Sequence, residues 1–272
     1  MKANKSIGVF DSGLGGLRIF KSLTKNLPDY NYIYLGDNAR LPYGSRSFDV
    51  IYKFTVEAVD SLFKNGCEII ILACNTASAE SLRKIQQEYL PRHYPEKRVL
   101  GVIVPTVEYV ANELKSKKVG VIGTQSTIDS RVFQKEFNKI NPEIEVFQKA
   151  SSLLVPLIES GEGSVEIENA VLRNYLKTLT SQEIDTLILG CTHYGFWKEK
   201  IKKIVSNNIH IVCEEDVVPE KLKDYLQRHP EIEKSIKKEK ERLFYLTDFS
   251  YNFKYLAEKF FQGRINLKKI KL

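Results

Sequence analysis

Short apolar runs rich in β-branched residues alternate with amphipathic stretches along almost the whole chain. The amphipathic stretches predict helices, for example over Ser47–Lys64, Ser78–Tyr89, Val107–Lys115 and Ile167–Leu179. The apolar runs predict strands over Ser6–Phe10, Asn31–Leu35, Glu68–Ala73, Val99–Val102, Lys118–Ile122, Ile144–Gln148, Asp185–Gly190 and His210–Cys213. This alternation is typical of βαβ units, so we expect an α/β protein with mainly parallel sheets.

A weak internal repeat divides the chain into two similar halves. Ile7–Ser12 matches Val119–Thr124, and the apolar run that ends at Ala73 matches the run that ends at Gly190. The repeat predicts two related α/β domains with the active site in the cleft between them, although glycine-flanked strands are common in α/β proteins generally.

The expected domains are discontinuous in sequence. Residues 1–99 and 214–272 form the first α/β domain, and residues 100–213 form the second. The helix expected over Asn252–Phe261 would then pack back onto the first domain. Two crossings between the domains would make a hinge that opens for substrate and closes for chemistry.

Cysteine residues follow two of the predicted strands. Cys74 comes after Glu68–Ala73, and Cys191 comes after Asp185–Gly190. Ligands of open α/β sheets bind at the carboxyl ends of the strands, so these thiols could face one small molecule from opposite sides. One thiolate would remove a proton while the other thiol returns one to the opposite face. A lone buried cysteine usually only packs, but the duplication and the nearby His193 favour catalysis.

Composition narrows the class of protein. The 272 residues are 43% hydrophobic and 11% aromatic, as an ordinary globular core requires. We expect no secretory signal, because residues 1–12 contain only the short apolar stretch Ile7–Phe10. We expect no membrane span, because no run of about 18 apolar residues occurs. The four cysteines have no CxxC spacing, which argues against a disulfide framework or a zinc ribbon and indicates a reducing cytoplasm. We expect no metal, since a single histidine beside the cysteines is a poor zinc site.

The net charge of +7 is concentrated near the end of the chain. Residues 198–272 contain 18 Lys or Arg and 12 Asp or Glu. Nucleic-acid binding is one interpretation, but the two signs are interspersed and no basic–aromatic recognition motif occurs. We therefore expect a solvated surface and no nucleic-acid partner.

Three polar segments also follow predicted strands. Asp11–Gly16 should open a helix whose glycines allow close approach of an anion, although its spacing differs from the dinucleotide fingerprint. Asp11 could be only an N-cap, or could bind a substrate ammonium group or tune a thiol. Tyr43 and Gly44 lie in a turn; they could only shape it, or could offer a hydroxyl and an N–H group to a carboxylate. Thr124 adds a hydroxyl from the second half of the chain.

Polar side chains also follow both cysteines directly. Asn75 and Thr76 come after Cys74, and Thr192 and His193 come after Cys191. Amide, hydroxyl and helix-start N–H groups together make a cradle for carboxylates.

Together these segments resemble the glutamate racemases of the aspartate/glutamate racemase superfamily. The resemblance spans nearly the whole chain in the right order. The matching motifs are Asp11-Ser12-Gly13-x-Gly15-Gly16, Gly36-Asp37-x-Ala39-Arg40-x-Pro42-Tyr43-Gly44, Ala73-Cys74-Asn75-Thr76-Ala77-Ser78-Ala79, Gly120-Val121-Ile122-Gly123-Thr124, the Ala150–Leu157 segment, Leu189-Gly190-Cys191-Thr192-His193-Tyr194 and the Leu243–Phe261 region.

The resemblance implies a cofactor-independent isomerase that interconverts L- and D-glutamate and supplies D-glutamate for peptidoglycan. It implies that Cys74 and Cys191 are the two acid/base residues, assisted by Asp11 and His193, with Asp37 as a further helper. The implied substrate-binding residues are Asp11, Ser12, Tyr43, Gly44, Asn75, Thr76, Thr124, Thr192 and His193. We also expect a homodimer.

Two departures from the family pattern stand out. Gly195-Phe196 replaces the usual Pro-Leu, and Cys213-Glu214 replaces the usual Asp-Ser. Other functions remain open: a racemase or isomerase for aspartate, a hydantoin or maleate, a catalytically silent binding protein that uses the basic region, or a Cys–His hydrolase that would leave Cys74 unexplained.

Overall fold

The structure is a computed structural model that describes residues 5–161, 163–248 and 251–272. Its strands are β1 (Ser6–Asp11), β2 (Tyr32–Gly36), β3 (Cys67–Leu72), β4 (Arg98–Gly101), β5 (Lys118–Gly123), β6 (Glu145–Ala150), β7 (Thr186–Gly190), β8 (His210–Val212), β9 (Arg242–Leu246) and β10 (Leu267–Lys269). They form two sheets, with the orders β10-β9-β2-β1-β3-β4 and β6-β5-β7-β8, and the paired strands are parallel. The expected α/β architecture with two related units is confirmed, because β2-β1-β3-β4 and β6-β5-β7-β8 have the same arrangement.

Helices connect the strands and cover the sheets. They are α1 (Leu17–Asn26), α2 (Phe48–Lys64), α3 (Asn75–Lys84), α4 (Leu90–His93), α5 (Ile103–Glu108), α6 (Gln125–Asp129), α7 (Val132–Ile140), α8 (Leu154–Ser160), α9 (Val165–Thr180), α10 (Lys198–Ile204), α11 (Glu214–Arg228), α12 (Pro230–Ser235) and α13 (Tyr251–Phe261). Short π-helical segments continue α3 over Ile85–Tyr89 and α5 over Tyr109–Glu113.

The central strands are mostly apolar because helices cover both faces of each sheet. Every residue of β1 is buried, and so is every residue of β7. One apolar core fills one face of the first sheet and continues into the second sheet, while another fills the opposite face of the first sheet. This packing holds the carboxyl ends of β3 and β7 in fixed positions.

The predicted strands differ from the observed ones only at their ends, whereas three helices begin earlier than expected. The helix predicted from Ile167 begins at Val165. The helix predicted from Ser78 begins at Asn75, because Cys74 caps it by accepting a hydrogen bond from the Ala77 N–H group. The helix predicted from Val107 begins at Ile103. The sequence reading missed β9 and β10, since β9 directly follows a highly charged stretch and β10 is a short edge strand.

The chain passes between the two sheets twice, once between β4 and β5 and once between β8 and β9. These passages lie close to the domain boundaries expected at residues 99/100 and 213/214, which stay a prediction. Residues 1–4 and 249–250, which fall in the expected first domain, lie outside the described residues. In α13, Phe261 packs on Phe20 of α1, while Phe260 contacts His193 after β7, so this helix touches both halves.

Candidate active site

The two cysteines occupy equivalent positions at the ends of β3 and β7. Both line one cavity of about 260 Å³. Their exposed fractions are small, 5% for Cys74 and 7% for Cys191. Two thiols carried by different sheets therefore reach the same enclosed space.

Residues from both halves of the chain enclose this cavity. Its lining consists of Ser12, Leu41, Pro42, Tyr43, Gly44, Ser45, Cys74, Asn75, Thr76, Thr124, Gln125, Ser152, Val155, Pro156, Glu159, Cys191, Thr192, His193 and Tyr194. Of the candidate site residues, only Asp11 and Asp37 are outside this lining.

The Cys74 thiol lies at the start of α3. Its Sγ is 3.3 Å from Ser12 Oγ and accepts a hydrogen bond of 3.5 Å from the Ala77 N–H group. Burial raises the pKa of Cys74 to about 12, and the negative charge of Asp11 adds to the rise, while the contacts with Ser12 and Ala77 oppose it. Cys74 is therefore a neutral thiol in the free protein at neutral pH.

The surroundings of Cys191 are more polar. His193 Nδ1 lies 3.8 Å from Cys191 Sγ, and His193 Nε2 lies 2.9 Å from Glu159 Oε1. Burial acts to lower the pKa of His193, but its hydrogen bonds to Cys191 and Glu159 and their charges raise it well above the ordinary value. A cationic imidazole therefore lies beside the second thiol.

Asp11 supports the turn that follows β7. The Thr192 hydroxyl donates to Asp11 Oδ2 at 3.1 Å, and the Gly13 N–H group donates to Asp11 Oδ1 at 2.9 Å. Burial raises the pKa of Asp11, although His193, the Gly13 and Gly16 N–H groups and Thr192 act in the opposite direction. Asp11 is fully buried and positions the residues around the cavity from behind.

Asp37 anchors the loop that carries Tyr43. Its Oδ2 accepts hydrogen bonds of 2.6 Å from the Tyr43 hydroxyl and from Arg40 Nε, and its Oδ1 accepts one of 2.8 Å from Thr247. Both carboxylate oxygens of Asp37 are therefore used in hydrogen bonds outside the cavity. This arrangement indicates that Asp37 positions Tyr43.

Hydroxyl groups join the two halves beside the cavity. Thr76 Oγ1 lies 2.9 Å from Thr124 Oγ1, which lies 3.0 Å from Thr127 Oγ1. The Ser126 N–H group donates to the Gly44 carbonyl at 3.0 Å. A Cβ atom at Gly44 would come within 2.6 Å of Thr124 Cβ, so only glycine permits this approach.

Asn75 has unused hydrogen-bonding capacity. Its side chain is buried and lines the cavity, but neither Oδ1 nor Nδ2 has a hydrogen-bond partner. Buried polar atoms are nearly always paired, so both atoms are available to a bound ligand.

The sequence reading missed two acids near the site. Glu159 pairs with His193 from α8, and Glu214 is buried at the start of α11, where Asn75 acts on its carboxyl group. Glu159 follows no predicted strand. Glu214 directly follows the strand predicted over His210–Cys213, but it was noted only as a departure from the family pattern. Within residues 5–161, 163–248 and 251–272, no group of three or more His, Cys, Asp or Glu residues could hold a metal ion. No helix in this part of the chain is long and apolar enough to cross a membrane.

Comparisons with known proteins agree with this geometry. The family model described as Asp/Glu/Hydantoin racemase matches residues 14–213. The glutamate racemase of Sulfurihydrogenibium sp. (strain YO3AOP1) is 38% identical over 267 residues, covering 98% of this chain and 97% of that protein.

Solved structures match over nearly the full length. The glutamate racemase of Francisella tularensis subsp. tularensis SCHU S4 in complex with D-glutamate has a TM-score of 0.88 and 36% identity, covering 99% of this chain and 98% of that one. Glutamate racemase isoform RacE1 of Bacillus anthracis has a TM-score of 0.89 and 31% identity, with the same coverage.

The fold and the site define an α/β enzyme with two cysteines facing one cavity. The chain belongs to the Asp/Glu/hydantoin racemase family. The relatives described above are glutamate racemases, so the resemblance carried by the sequence motifs and the expected isomerase class are both confirmed.

Proposed function

We propose that this enzyme interconverts L- and D-glutamate by a two-base proton transfer between Cys74 and Cys191. The observation that carries the proposal is that both thiols line one small cavity, while the strands that precede them, β3 and β7, belong to different sheets. Each thiol can then approach one face of the same Cα atom, whereas a single base would have to reach both.

The chemistry follows from this placement. One cysteine, as thiolate, takes the Cα proton; the resulting planar carbanion accepts a proton from the other cysteine on the opposite face. We expect the sulfurs to be roughly 7–8 Å apart in the substrate complex, because each needs to lie within about 3–3.5 Å of Cα. His193 Nδ1 lies 3.8 Å from Cys191 Sγ, so the imidazole is placed to hydrogen-bond with this sulfur during proton transfer.

The polar lining suits an amino acid with two carboxylates. Ser12, Asn75, Thr76, Thr124 and Thr192 offer hydroxyl and amide groups around the two thiols. The N-terminus of α3 adds N–H groups that favour a carboxylate. Such fixed donors stabilise the negative charge that develops when Cα loses its proton. In this mechanism the cysteines and the cradle act without a cofactor or a metal.

The domains proposed for this cycle are residues 1–99 with 214–272, and residues 100–213. Support comes from the two passages between the sheets, which flank the second unit. Closure around substrate would exclude water and strengthen the electrostatic contacts in the cavity.

We further propose a homodimer that supplies D-glutamate for peptidoglycan synthesis, and hence for cell shape, in the reducing cytoplasm. The four cysteines are free thiols, as a reducing compartment requires. Leu153, Val165 and Ile167 lie close together in sequence and are more than half exposed, so self-association would cover apolar surface. Light scattering of the purified protein tests the dimer.

The activity is tested by incubating the protein with L-glutamate in the absence of added cofactor and measuring D-glutamate by chiral chromatography. Wild type should form D-glutamate, while Cys74→Ser and Cys191→Ser should lose about 10²–10⁴-fold in rate, as expected when a general base is removed. Aspartate is the comparison substrate. Preferential formation of D-aspartate, or wild-type rates in either variant, would contradict the proposal.

A further inference from the structure

Helix α13 brings an aromatic side chain from near the end of the chain to the active site. Phe260 in this helix is 1% exposed. Its ring lies nearly perpendicular to the imidazole of His193, at an interplanar angle of 78° and a centroid distance of 5.4 Å. Phe260 does not line the substrate cavity, so it touches His193 from outside the space that a substrate would occupy. The mechanism above does not use this contact.

The imidazole of His193 has two polar contacts besides the ring of Phe260. Its Nδ1 atom lies 3.8 Å from Cys191 Sγ, and its Nε2 atom lies 2.9 Å from Glu159 Oε1. Two point contacts leave a planar ring free to rock about the line that joins them, and a third contact removes that freedom. Perpendicular aromatic rings at this distance attract each other through the edge of one ring and the face of the other.

Phe260 is itself held in place by the turn that follows β7. The Phe196 ring packs on it with a centroid distance of 5.2 Å, and the Phe196 N–H group donates to the His193 carbonyl at 3.0 Å. Phe196 belongs to Gly195-Phe196, which replaces the Pro-Leu of the family pattern. Phe260 therefore contacts the turn after Cys191 at two side chains, one of which is a departure of this chain from its family.

The next residue of α13 anchors the helix to the first sheet. Phe261 packs on Phe20 of α1 at a centroid distance of 6.2 Å and on Phe244 of β9 at 5.3 Å. Consecutive residues of a helix point in directions that differ by roughly 100°. Adjacent phenylalanines of one helix thus face the two halves of the chain, and α13 links the first sheet to His193.

We propose that Phe260 is a positioning residue for the Cys191 half of the reaction: its ring holds the His193 imidazole where Nδ1 can hydrogen-bond with the Cys191 sulfur during proton transfer. This inference rests on the proposed function. Cys74 follows a strand of the other sheet and has its own contacts with Ser12 and Ala77. Loss of the Phe260 ring should therefore slow proton transfer at Cys191 and leave proton transfer at Cys74 unchanged.

The test measures elimination of a leaving group from each enantiomer of a β-substituted glutamate analogue, because this reaction removes a proton from one face only. The enantiomer that Cys74→Ser still uses is the one that Cys191 deprotonates, and Cys191→Ser identifies the other. Phe260→Leu should lower kcat for the Cys191 enantiomer up to about tenfold, the equivalent of one edge-to-face aromatic pair. The kcat for the Cys74 enantiomer should stay within about twofold of wild type, as expected for a distant site. KM should change little for either enantiomer, since Phe260 lies outside the cavity lining.

Phe261→Leu is the matched control, because it makes the same change at the neighbouring residue of α13. It should leave kcat for both enantiomers within about twofold of wild type. Phe196→Leu introduces the residue usual in the family and removes one support of Phe260. It should lower kcat about threefold for the Cys191 enantiomer alone, because the contact between Phe260 and His193 remains. In a His193→Gln background, Phe260→Leu should cause no additional loss, since the two residues act as one unit.

Failure of the inference can be distinguished from failure of the proposed function. A wild-type protein that does not racemise glutamate contradicts both. Wild-type racemisation together with an equal loss for both enantiomers in Phe260→Leu, no loss for either, or the same unequal loss in Phe261→Leu overturns the positioning role alone. An undiminished effect of Phe260→Leu in the His193→Gln background has the same consequence. If circular dichroism shows that Phe260→Leu does not fold, the ratio of the two enantiomers in Phe196→Leu decides.

Discussion

Thr192 donates a hydrogen bond of 3.1 Å to Asp11, and this contact joins the turn after β7 to the end of β1. Two sheets with separate strand orders thereby meet at buried polar groups directly behind the cavity. Thr192 directly follows Cys191. The position of the Cys191 thiol therefore depends on this contact with the first sheet as well as on β7 of the second sheet.

Gly15 tests this dependence. A Cβ atom at Gly15 would lie 2.4 Å from Thr192 Oγ1 and 2.7 Å from His193 Nδ1, so Gly15→Ala should push the Cys191 turn out of place. We expect kcat/KM to fall about 10²-fold, since a misplacement of about 1 Å can cost that much. Steady-state kinetics with glutamate is the measurement.

Gly263→Ala is the matched control, because a Cβ atom there would meet only Phe261 side-chain atoms at 3.4–3.5 Å. It should retain the wild-type kcat/KM. Equal kinetics of Gly15→Ala and Gly263→Ala would argue against a role of this contact in positioning Cys191.

Single cysteine variants should retain one-sided chemistry. Elimination of a leaving group from a β-substituted glutamate analogue needs proton removal from one face only, so one base suffices. Cys74→Ser and Cys191→Ser should therefore each eliminate from one enantiomer, and opposite enantiomers should be used by the two variants. Product formation from each enantiomer is followed separately. Elimination from both enantiomers by one variant would show that a single residue reaches both faces.

The thermal and chemical stability of the protein should change with pH through Glu214. Burial raises its pKa from 4.5 to about 8 on folding. A raised pKa means that the folded state binds the proton more tightly, so this contribution to stability is full below pH 4.5 and is lost as pH rises toward 8. The Glu214→Gln variant has no ionisable group at this position. Between pH 4.5 and pH 8, its free energy of unfolding should therefore rise relative to that of wild type by at most about 1.4 kcal/mol per pH unit.

Denaturant unfolding of both proteins at pH 5 and pH 8 measures this difference. A difference in unfolding free energy that is the same at both pH values would mean that Glu214 titrates normally in the folded protein.

Much of the fold could be predicted from hydrophobic periodicity. The eight expected strands, the parallel arrangement and the equivalence of the two halves all follow from apolar runs of strand length. β9 was missed because Arg242–Leu246 follows a charged stretch, and it becomes a strand by pairing with the buried β2. Pairing of this kind is a tertiary effect that local sequence does not encode.

The site was predictable where its residues follow strands. Cys74, Cys191 and most of their polar neighbours do so, and the structure brings them to one cavity. Glu159 comes from a helix position that only the three-dimensional packing brings near His193. Glu214 follows β8, but its burial at the start of α11 is a result of packing that the sequence pattern did not indicate. The same packing places Asp37 behind Tyr43 and outside the cavity lining.

The basic region near the end of the chain should not bind nucleic acid. Several of its lysines already have acidic partners: Lys237 lies 3.4 Å from Glu239, and Lys240 lies 3.2 Å from Asp29. We expect any DNA binding at about 50 mM salt to be lost at about 200 mM, since weak phosphate contacts are strongly screened. Fluorescence anisotropy measures this, with Lys234, Lys237, Lys238 and Lys240 neutralised as the comparison. Micromolar binding that survives 200 mM salt and disappears on neutralisation would establish a nucleic-acid site.

Racemisation in D₂O tests the two-cysteine mechanism most directly. Unlabelled L-glutamate is incubated with the enzyme, and both enantiomers are separated at early conversion and analysed by mass spectrometry. With two bases, the proton leaves to one thiol and a deuteron arrives from the other, so the D-glutamate formed should carry deuterium at Cα while the remaining L-glutamate keeps protium. A single base would return part of its captured protium to the opposite face. Protium in the early D-glutamate, or deuterium accumulating equally in the remaining L-glutamate, would contradict the assignment of Cys74 and Cys191 as opposed acid and base.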